Sequence, residues 1–583
     1  MNILLPSGFP DILFTRPSFL KFTILNFSLP CSLFSVMKIA LAQLNYHIGN
    51  FEGNFAKMQD AIFKAKLEQA DLICFSELAS CGYPPRDFLE FRDFISQSMA
   101  LVNRLCELSH DIAIVVGAPS VNPDVEGKDL YNSAFFLYEG KVQSITHKAL
   151  LPNYDIFDEY RYFEPNRSFE IVRFQSKKIA ITICEDIWNL GNENPMYTIC
   201  PLDEIIDQKP DFILNLSASP FSYEHAKDRL NVLRANVLKY KIPLFYVNCV
   251  GAQTDILFDG GSAVLSGDGM CYEELPFFVE GQRYFELEEV LKGGINREQE
   301  KNEIELIHKA LVLGIRDYFS KMGFSKAILG LSGGIDSALT ACLAVDALGK
   351  DQVRVLLMPS PYSSEGSVLD AKALAEQLGI QYDVIPIASI FDEYKSILST
   401  YFINLPENVT EENIQARIRG MLLMAFSNKF SSILLNTTNK SEMAVGYATL
   451  YGDTVGGYSV LKDVYKTRVY DLCRWRNTQG PAPVIPEGVI TKPPSAELRP
   501  DQRDDQSLPP YEVLDPILQL YVEEDRSVAE IIELGHDEAI VRRIARLVDL
   551  NEYKRRQCPP GVRVSTKAFG KDRRLPITNG YRG

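Results

Sequence analysis

Three reactive side chains in the first half of the chain, Glu77, Lys148 and Cys184, each follow a run of residues that predicts a β-strand. A cysteine at a strand-to-helix turn is exposed at the edge of a sheet, where its thiolate can attack a carbonyl carbon. A carboxylate can serve as its base, and a lysine can lower the pKa of the thiol and stabilise a charged tetrahedral intermediate. Taken singly, a strand-end cysteine is more often a small core residue, and a lone Glu or Lys usually lies on a solvated surface. The three together favour nucleophilic catalysis.

A second group of residues suited to chemistry follows the strand predicted over residues 327–331: Ser332, Gly333, Gly334, Asp336 and Ser337. The two glycines let the backbone approach a phosphate group, while the N-terminus of the helix that follows and the serine hydroxyls supply donors. The aspartate could hold Mg²⁺. The string G-x-x-x-x-G-K-[ST] is absent from the chain, so a P-loop enzyme that cleaves the β–γ bond of ATP is not indicated. An ordinary strand–helix turn is the alternative interpretation.

Alternating strand and helix patterns must position both groups. In the first half a helical pattern covers residues 54–69, and strands are predicted over 71–76, 112–117, 179–183, 212–216 and 244–248. In the second half the predicted strands are 327–331, 353–358 and 382–386, with a helix over 368–378. This order predicts an α/β fold, with packed layers in the first half and a doubly wound parallel sheet in the second.

Two features predict how the chain divides. A charged stretch over residues 281–303 contains Gly293 and Gly294 and places a boundary near residue 290, between domains 37–290 and 291–583. The first 36 residues are rich in Phe, Leu, Ser and Pro, and a clean strand pattern begins only at Met37. We interpret residues 1–36 as a disordered extension, or Met37 as the true start. A signal peptide is the alternative, which Pro30 disfavours by interrupting the apolar run.

The composition argues against several classes of function. The 583 residues include 60 Lys and Arg against 76 Asp and Glu, a net charge of −16, which disfavours nucleic acid as the main ligand. The 11 cysteines are an odd number without C-x-x-C spacing, which argues against a disulfide framework and fits a reducing compartment. No stretch reaches the roughly 18–20 uninterrupted apolar residues that a membrane span requires. We therefore expect a cytoplasmic protein without membrane or nucleic-acid partners.

The first half resembles the nitrilase, or carbon–nitrogen hydrolase, superfamily in the strings Ser76–Pro85, His147–Tyr154 and Cys184–Trp188. This resemblance implies a four-layer αββα sandwich with a Glu77–Lys148–Cys184 triad, and Glu159 as a second, structural glutamate. In members with glutaminase activity the cysteine attacks the side-chain amide of glutamine and releases ammonia. The resemblance also implies four residues that contact glutamine, the last of them in the place of an arginine of some relatives: Tyr154, Glu185, Ser219 and His225.

The second half resembles the ATP pyrophosphatase family, in which the S-G-G-x-D-S string binds the pyrophosphate released when ATP adenylates a carboxylate or amide oxygen. A nitrilase-type glutaminase ahead of such a domain is the architecture of the glutamine-dependent NAD⁺ synthetases, and the resemblance to that family runs from residue 37 to residue 583. Six further strings agree with it: Glu412–Arg419, Asn436–Glu442, Tyr451–Asp453, Val464–Thr467, Lys492–Leu498 and Lys554–Arg556. Asn439 departs from the T-D-H-type stretch that is usual in the enzymes that use free ammonia.

The resemblance implies a role for each of these residues. The ATP-binding set is Ser332, Gly333, Gly334, Asp336, Ser337, Thr437, Lys466 and Ser495. Asn413, Arg417 and Asp453 are implied to line the deamido-NAD⁺ site, and Asp336 with Glu442 to bind Mg²⁺. The loop Pro493–Pro510 is interpreted as a mobile lid, with a plain surface loop as the alternative.

The implied reaction is the ATP-dependent amidation of deamido-NAD⁺ to NAD⁺ through an adenylate, with ammonia channelled from glutamine. The products are NAD⁺, AMP, pyrophosphate and glutamate. The resemblance also implies a homo-oligomer formed through helices of the synthetase half, and leaves open whether it is a dimer or an octamer. The alternative is a stand-alone amidase or nitrilase whose second half senses a nucleotide, which would hydrolyse an amide without consuming ATP.

Overall fold

The computed structural model describes residues 37–192, 196–500 and 502–581. The predictions for the first 36 residues lie outside this part of the chain. Residues 37–583 form one compact unit. None of the helices in the described ranges is long and apolar enough to cross a bilayer.

The first half is built mainly of strands. They are β1 (Lys38–Gln43), β2 (Leu72–Cys74), β3 (Ala113–Val121), β4 (Leu130–Tyr138), β5 (Lys141–His147), β6 (Val172–Phe174), β7 (Lys177–Ile183), β8 (Phe212–Ser217), β9 (Leu244–Asn248), β10 (Val250–Gln253), β11 (Ile256–Asp259), β12 (Ala263–Leu265), β13 (Cys271–Glu274) and β14 (Gly281–Glu286). The helices are α1 (Phe51–Leu67), α2 (Arg92–Glu107), α3 (Pro201–Ile205), α4 (His225–Tyr240) and α5 (Leu287–Leu291). The predicted strands correspond to β2, β3, β7, β8 and β9.

Two six-stranded sheets, ordered β14-β1-β2-β3-β4-β5 and β13-β12-β9-β8-β7-β6, face each other. Successive side chains of a strand point to opposite faces. Ile39 and Leu41 of β1 therefore share a core with Ile181 of the opposite sheet, while Ala40 and Ala42 pack under α1 and α2. The outer face of the second sheet is covered by α3 and α4. The layer order is αββα, as predicted.

The second half alternates helices with parallel strands. Its elements are α6 (Glu303–Met322), β15 (Ala327–Gly330), α7 (Ile335–Leu348), β16 (Val353–Leu357), α8 (Glu365–Leu378), β17 (Gln381–Val384), α9 (Ala388–Leu398), α10 (Val409–Phe430), β18 (Ile433–Asn436), α11 (Lys440–Val445), β19 (Tyr458–Ser459), α12 (Lys466–Asn477), α13 (Glu487–Thr491), α14 (Tyr511–Leu518), α15 (Val528–Glu533), α16 (Glu538–Leu550) and α17 (Glu552–Arg555). A π-helical turn, Gln519–Glu523, continues α14.

The second-half sheet is doubly wound, as predicted. Its parallel strands lie in the order β17-β16-β15-β18-β19. Helices α6, α7, α8 and α12 cover one face, and α9 and α10 cover the other. The chain leaves β15 for β16 on one side and reaches β18 on the other. This reversal opens a crevice at the carboxyl ends of β15 and β18, which is where doubly wound sheets bind ligands.

The two halves meet through buried polar contacts. Helix α6 lies against β10, where Asp317 Oδ2 accepts hydrogen bonds from Asn45 Nδ2 at 2.8 Å and from the backbone N–H of Ala252 at 2.7 Å. Further along, the C-terminal segment pairs with first-half loops. The backbone N–H of Arg563 donates to the Asp255 carbonyl at 3.0 Å. The domain boundary near residue 290 stays a prediction.

Candidate active sites

The first candidate site lies where several segments leave their strands. Glu77 follows β2, Lys148 follows β5 and Cys184 follows β7. Cys184 has a φ of 44°, in the left-handed region that residues other than glycine rarely adopt. The chain therefore turns sharply at the end of β7, into the short 3₁₀ turn Cys184–Ile187.

Lys148 is held between two carboxylates. Its Nζ donates to Glu77 Oε1 at 2.7 Å and to Glu159 Oε1 at 2.8 Å, and the lysine side chain has no exposed surface. Asn132 Nδ2 also donates to Glu77 Oε1, at 2.7 Å. Tyr83 Oη donates to Glu159 Oε1 at 2.8 Å. The structure thus brings together Glu77, Lys148 and the second glutamate, and their charges act on the Cys184 thiol.

The electrostatics of this cluster keep the lysine charged and the resting thiol neutral. Burial alone would lower the pKa of Lys148, but Glu159 and Glu77 raise it well above its usual value. Burial raises the pKa of Cys184 well above its usual value and Glu77 adds to the rise, while Lys148 opposes it. Lys148 therefore acts on the thiol pKa in the predicted direction, but burial and Glu77 outweigh it. Burial also raises the pKa of Glu159, to about 7.

Asp186 joins the lysine segment to the cysteine turn. Its Oδ1 accepts hydrogen bonds from the backbone N–H groups of Ala149 and Leu150, both at 2.9 Å, and its Oδ2 accepts from that of Ile183 at 3.0 Å. This buried carboxylate fixes Lys148 and Cys184 relative to each other. The sequence interpretation did not single it out, although it is the second residue after the cysteine.

The four predicted glutamine contacts fall into two hydrogen-bonded pairs. Glu185 Oε1 accepts from Tyr154 Oη at 2.7 Å and from Tyr197 Oη at 2.8 Å. Ser219 Oγ lies 2.9 Å from His225 Nε2. The His225 ring stacks on Trp188 with the ring centroids 5.0 Å apart, and burial lowers its pKa to about 3. His225 is therefore neutral, so it does not supply the charge of the arginine found in some relatives. Tyr197 and Trp188 were not predicted.

The second candidate site is the loop after β15. Gly333 has a φ of 81°, and a Cβ at this position would lie 2.2 Å from the carbonyl oxygen of Ser367. Only glycine fits there. Ser337 Oγ donates to the Gly334 carbonyl at 2.9 Å and lies 3.2 Å from Ser332 Oγ. The predicted phosphate loop therefore folds back onto the N-terminus of α7.

Two carboxylates of this site share one lysine. Lys466 Nζ donates to Asp336 Oδ2 at 2.5 Å and to Glu442 Oε1 at 3.1 Å. Asn439 Nδ2 donates to Asp336 Oδ1 at 2.9 Å, so the residue that departs from the usual pattern orients the aspartate. Burial raises the pKa of Glu442 to about 7, with Lys466 opposing the rise and Asp336 adding to it.

A cleft of about 320 Å³ contains most of the predicted ATP site. Its lining includes Ser332, Gly334, Asp336, Ser337, Thr437, Glu442, Asp453, Lys466 and Ser495. Gly333, Asn413 and Arg417 do not line it. Asn413 Oδ1 accepts from Thr449 Oγ1 at 2.7 Å, and the backbone N–H of Thr449 donates to Asp453 Oδ1 at 2.5 Å. Arg417 is exposed, with Nε donating to the Leu450 carbonyl at 3.3 Å. Asn413 and Arg417 therefore both contact the loop of residues 449–453, which contains Asp453, beside the cleft.

The loop Pro493–Pro510 closes one side of the cleft. Glu497 Oε1 accepts hydrogen bonds from Ser364 Oγ at 2.9 Å and Ser367 Oγ at 2.7 Å, at the start of α8. Asp504 is buried and accepts from Tyr511 Oη at 3.0 Å. It faces the charge of Lys466 and was not predicted. The lid interpretation stays a prediction.

Two oxygen-rich side chains, Asp336 and Glu442, are suited to a hard cation. Within the described residues no group of three His, Cys, Asp or Glu side chains is arranged to hold a metal ion. Mg²⁺ usually takes only one or two protein carboxylates and completes its shell with water and phosphate oxygens. The donor set therefore fits Mg²⁺ bound together with a nucleotide.

Comparisons with known proteins bear on both sites. The carbon-nitrogen hydrolase model matches residues 38–291, and the NAD synthase model matches residues 307–558. The glutamine-dependent NAD⁺ synthetase of Acinetobacter baylyi is 44% identical over 547 residues, covering 94% of this chain and 99% of that protein. The chain belongs to the glutamine-dependent NAD⁺ synthetase family. The relative from Synechocystis sp. is 45% identical over 556 residues, covering 93% and 99%.

Solved structures agree with the architecture. The glutamine-dependent NAD⁺ synthetase of Acinetobacter baumannii, in complex with adenosine diphosphate, is 40% identical and superposes with a TM-score of 0.74 over 93% of this chain and 98% of that one. A glutamine-dependent NAD⁺ synthetase from Cytophaga hutchinsonii is 20% identical, with a TM-score of 0.81 over 94% and 98%, and shares the fold. The predicted α/β architecture is confirmed.

Proposed function

We propose that this chain amidates deamido-NAD⁺ to NAD⁺ with ATP, using ammonia that it releases from glutamine. The observation that carries the proposal is the presence of two sites in one chain of this family. One is the buried Glu77–Lys148–Cys184 cluster. The other is the loop after β15, with Lys466 bound to Asp336.

The first site is suited to hydrolysing a carboxamide. Glu77 takes the proton from Cys184, and the resulting thiolate attacks the side-chain carbonyl carbon of glutamine. Lys148 stabilises the oxyanion of the tetrahedral intermediate. Ammonia leaves with a proton returned by Glu77, and water hydrolyses the thioester to glutamate. A base is needed because burial keeps the thiol neutral.

The glutamine would bind between the two pairs of polar residues. Glu185, fixed by Tyr154 and Tyr197, presents a buried carboxylate, which suits the α-ammonium group of the substrate. Ser219 and His225 supply neutral partners for its other polar groups. Glu159 would hold Lys148 in place.

The second site is suited to activating a carboxylate. The nicotinate carboxylate attacks the α-phosphorus of ATP, pyrophosphate leaves and an adenylate forms, since a free carboxylate has no good leaving group. Ammonia then attacks the adenylate carbonyl, and AMP leaves. Ser332, Gly333, Gly334, Ser337, Thr437 and Ser495 would bind the nucleotide, and Lys466 would neutralise the departing phosphates. Asn413, Arg417 and Asp453 would bind deamido-NAD⁺.

Asp336 and Glu442 would hold the Mg²⁺ that accompanies ATP, which supplies charge neutralisation for the phosphates. Ammonia released into bulk water would be protonated, so we also propose that it passes between the sites inside the protein. The division into domains 37–290 and 291–583 and a cytoplasmic location belong to the same proposal.

A homo-oligomer formed through the second half is also part of the proposal. Helices α9 and α10 and the segment between them carry seven apolar side chains that are each at least 48% exposed, and we call this set the α9–α10 patch: Tyr394, Ile397, Tyr401, Ile403, Leu405, Val409 and Met421. Patches of this kind commonly mark interaction surfaces. A second copy of the chain is the occupant that the resemblance implies.

The decisive experiment measures NAD⁺ formation from deamido-NAD⁺, ATP and Mg²⁺ with either glutamine or ammonium. We expect Cys184→Ala to lose glutamine-driven synthesis by at least about a thousandfold and to keep ammonium-driven synthesis, because only the nucleophile is lost. Asp336→Asn should lower both by on the order of a hundredfold while sparing glutamine hydrolysis. Amide hydrolysis without ATP consumption in the wild type would instead support an amidase with a nucleotide-sensing second half.

A further inference from the structure

A cavity of about 1050 Å³ lies between the first half and the C-terminal segment. Its lining includes Arg86 and Phe88, from the 3₁₀ turn Arg86–Glu90 of the first half, and Lys571 and Arg573, which follow α17. Within the described ranges, no side chain assigned to either candidate active site lines it. Small-molecule pockets commonly span about 300–1,000 Å³. The cavity is therefore large enough for a ligand of nucleotide size.

The charge around this cavity is opposite in sign to that of the whole chain. Eight of the side chains that line it are Lys or Arg and five are Asp or Glu, whereas the chain carries a net charge of −16. Each of the five acidic side chains already has a hydrogen-bond partner within the protein. An anion that enters the cavity therefore meets an excess of positive charge.

Two of these basic side chains have no anionic partner among the described residues. Nη1 of Arg573 is buried without a hydrogen-bond partner, and its guanidinium carbon lies 5.6 Å from the centroid of the Phe569 ring. Nζ of Lys571 makes neither a hydrogen bond nor an ion pair with any described residue. A buried donor without a partner costs free energy. A bound anion would remove that cost.

Arg86 lies close enough to Lys571 for their charges to interact. Partial burial lowers the pKa of Lys571, and the charge of Arg86 lowers it further, while Asp255 opposes the fall. Arg86 Nη2 is 3.4 Å from Asp255 Oδ2, and both side chains are partly exposed. An ion pair of this length near solvent contributes little stability. A phosphate group between Arg86 and Lys571 would relieve the repulsion between them.

An aromatic ring with uncovered surface lies beside these cations. Phe88 belongs to the same 3₁₀ turn as Arg86 and is 52% exposed. Its ring stacks on that of Phe94, with the ring centroids 5.4 Å apart and an interplanar angle of 11°. This stacking holds the Phe88 ring in one orientation. A ring fixed in this way can stack on a nucleobase of any identity, because every base has a flat π-face.

We propose that this cavity is a second nucleotide-binding site of the chain. Arg86, Lys571 and Arg573 bind the phosphate groups, since charged N–H donors are the usual partners of phosphate oxygens. Phe88 stacks on the base. The inference goes beyond the proposed function, because none of these four residues takes part in glutamine hydrolysis or in the amidation.

The test counts the ADP molecules bound per chain, by equilibrium dialysis with labelled ADP at up to about 1 mM. We expect two in the wild type, one in the ATP cleft and one in the cavity. Lys571→Gln combined with Arg573→Gln removes two charged donors. This double variant should bind one ADP, because the affinity of the cavity falls by at least about tenfold.

A further variant separates a nucleotide from a bare phosphate chain. Phe88→Leu keeps an apolar side chain and removes the ring. It should weaken ADP binding in the cavity by about tenfold, the loss expected for one stacked base. Binding of inorganic pyrophosphate in the cavity should stay unchanged, because pyrophosphate has no base to stack.

Two controls separate loss of the site from other effects. Glutamine hydrolysis and ammonium-driven NAD⁺ formation should stay within about twofold of the wild type in the double variant, because its substitutions lie outside both candidate active sites. Lys372→Gln combined with Arg542→Gln removes the same charge from helix surfaces outside the cavity. This control pair should still bind two ADP molecules.

Each other outcome has a defined meaning. One ADP per chain in both the wild type and the double variant overturns the inference and leaves the proposed function standing. One in the wild type and none in the double variant supports the cavity and refutes the ATP cleft as assigned. Equal loss in the control pair would attribute the binding to net charge and overturn the inference. Unchanged ADP affinity in Phe88→Leu overturns the assignment to a nucleotide.

Discussion

Lys466 pairs with both Asp336 and Glu442, so the ATP site does not hold two unpaired negative charges in a buried cleft. Burial nevertheless raises the pKa of Glu442 to about 7. Near neutral pH this carboxyl group therefore binds a proton in part of the molecules. Only its ionised form can accept a metal ion.

This titration predicts a pH-dependent magnesium requirement. As the pH falls from about 8 to about 6, the Mg²⁺ concentration for half-maximal ammonium-driven synthesis should rise, by up to about tenfold per pH unit below 7. The direction follows because protonation neutralises the carboxylate and each Mg²⁺ bound must then displace a proton. The comparison uses the Mg²⁺ requirement rather than the rate, because protonation of ammonia makes the rate itself depend on pH.

Glu442→Gln is the control for this prediction. The variant should need more Mg²⁺ at every pH and should lose the pH dependence, because glutamine does not ionise. An unchanged dependence in the variant would assign the titration to another group.

At the residue scale the sequence indicated which side chains could be reactive, but it did not indicate which residues would form hydrogen bonds with them. Cys184 and Asp336 could be picked out because each stands in a recognisable string, Cys184–Trp188 or Ser332–Ser337, that follows a predicted strand. Tyr197, Asp186 and Asp504 could not, since tyrosine and aspartate are common and their role comes only from where the chain folds back. The neutral state of the Cys184 thiol could not be predicted from the sequence either, because it depends on burial and on three nearby carboxylates.

At the scale of elements, the turn from β15 into α7 depends on one glycine. Gly333→Ala would place a methyl group against the Ser367 carbonyl in a left-handed conformation. We expect the variant to lose both glutamine-driven and ammonium-driven synthesis by about tenfold or more, because the phosphate loop must open to relieve the contact. Glutamine hydrolysis measured without ATP should be unaffected.

Gly366→Ala provides the matched control for Gly333→Ala. Gly366 lies near the start of α8, close to the same loop, but an added Cβ there meets nothing within 4 Å. It should keep wild-type synthesis. Equal losses of synthesis in both variants would show that any added methyl group in this region lowers activity. Normal synthesis in Gly333→Ala would show that the phosphate loop does not require glycine at this position.

The elements themselves were largely predictable. The alternation in β1, with Ile39 and Leu41 on one face and Ala40 and Ala42 on the other, can be read directly from the sequence. The ends of strands were harder to predict. Strand β3, for example, continues to Val121, past the apolar run that predicts it. The loop Pro493–Pro510 carries no periodicity, so its contact with the start of α8 through Glu497 had no signal in the sequence.

At the scale of the whole molecule, the α9–α10 patch predicts self-association. Met421 is 71% exposed and Ile397 is 58% exposed. Met421→Glu combined with Ile397→Glu should convert an oligomer of the wild type to a monomer, because charges cannot be buried unpaired in an apolar interface. Light scattering coupled to size-exclusion chromatography measures the mass.

Leu534→Glu is the control for the patch, since Leu534 is 61% exposed and caps the C-terminus of α15, an element that contributes no residue to the patch. It should leave the mass unchanged. A double variant of unchanged mass would place the association on another surface. A monomeric wild type would show that the chain does not self-associate.

Contacts between the halves were the least predictable feature. Tyr223 Oη donates a hydrogen bond to Glu523 Oε2 at 2.9 Å, yet the two residues are 300 residues apart in the chain, and neither belongs to a motif. Such a pair is created by the packing of two separately patterned halves, and a single sequence contains no local trace of it.

The protonated state of Cys184 has a consequence for the life of the protein in the cell. Oxidants and electrophiles react with thiolates far faster than with thiols, and this thiol is 6% exposed as well as protonated at rest. The thiol therefore becomes a strong nucleophile only when a base such as Glu77 removes its proton. Between turnovers the protonated thiol should react slowly with peroxide and alkylating agents, so that more accessible thiols react first.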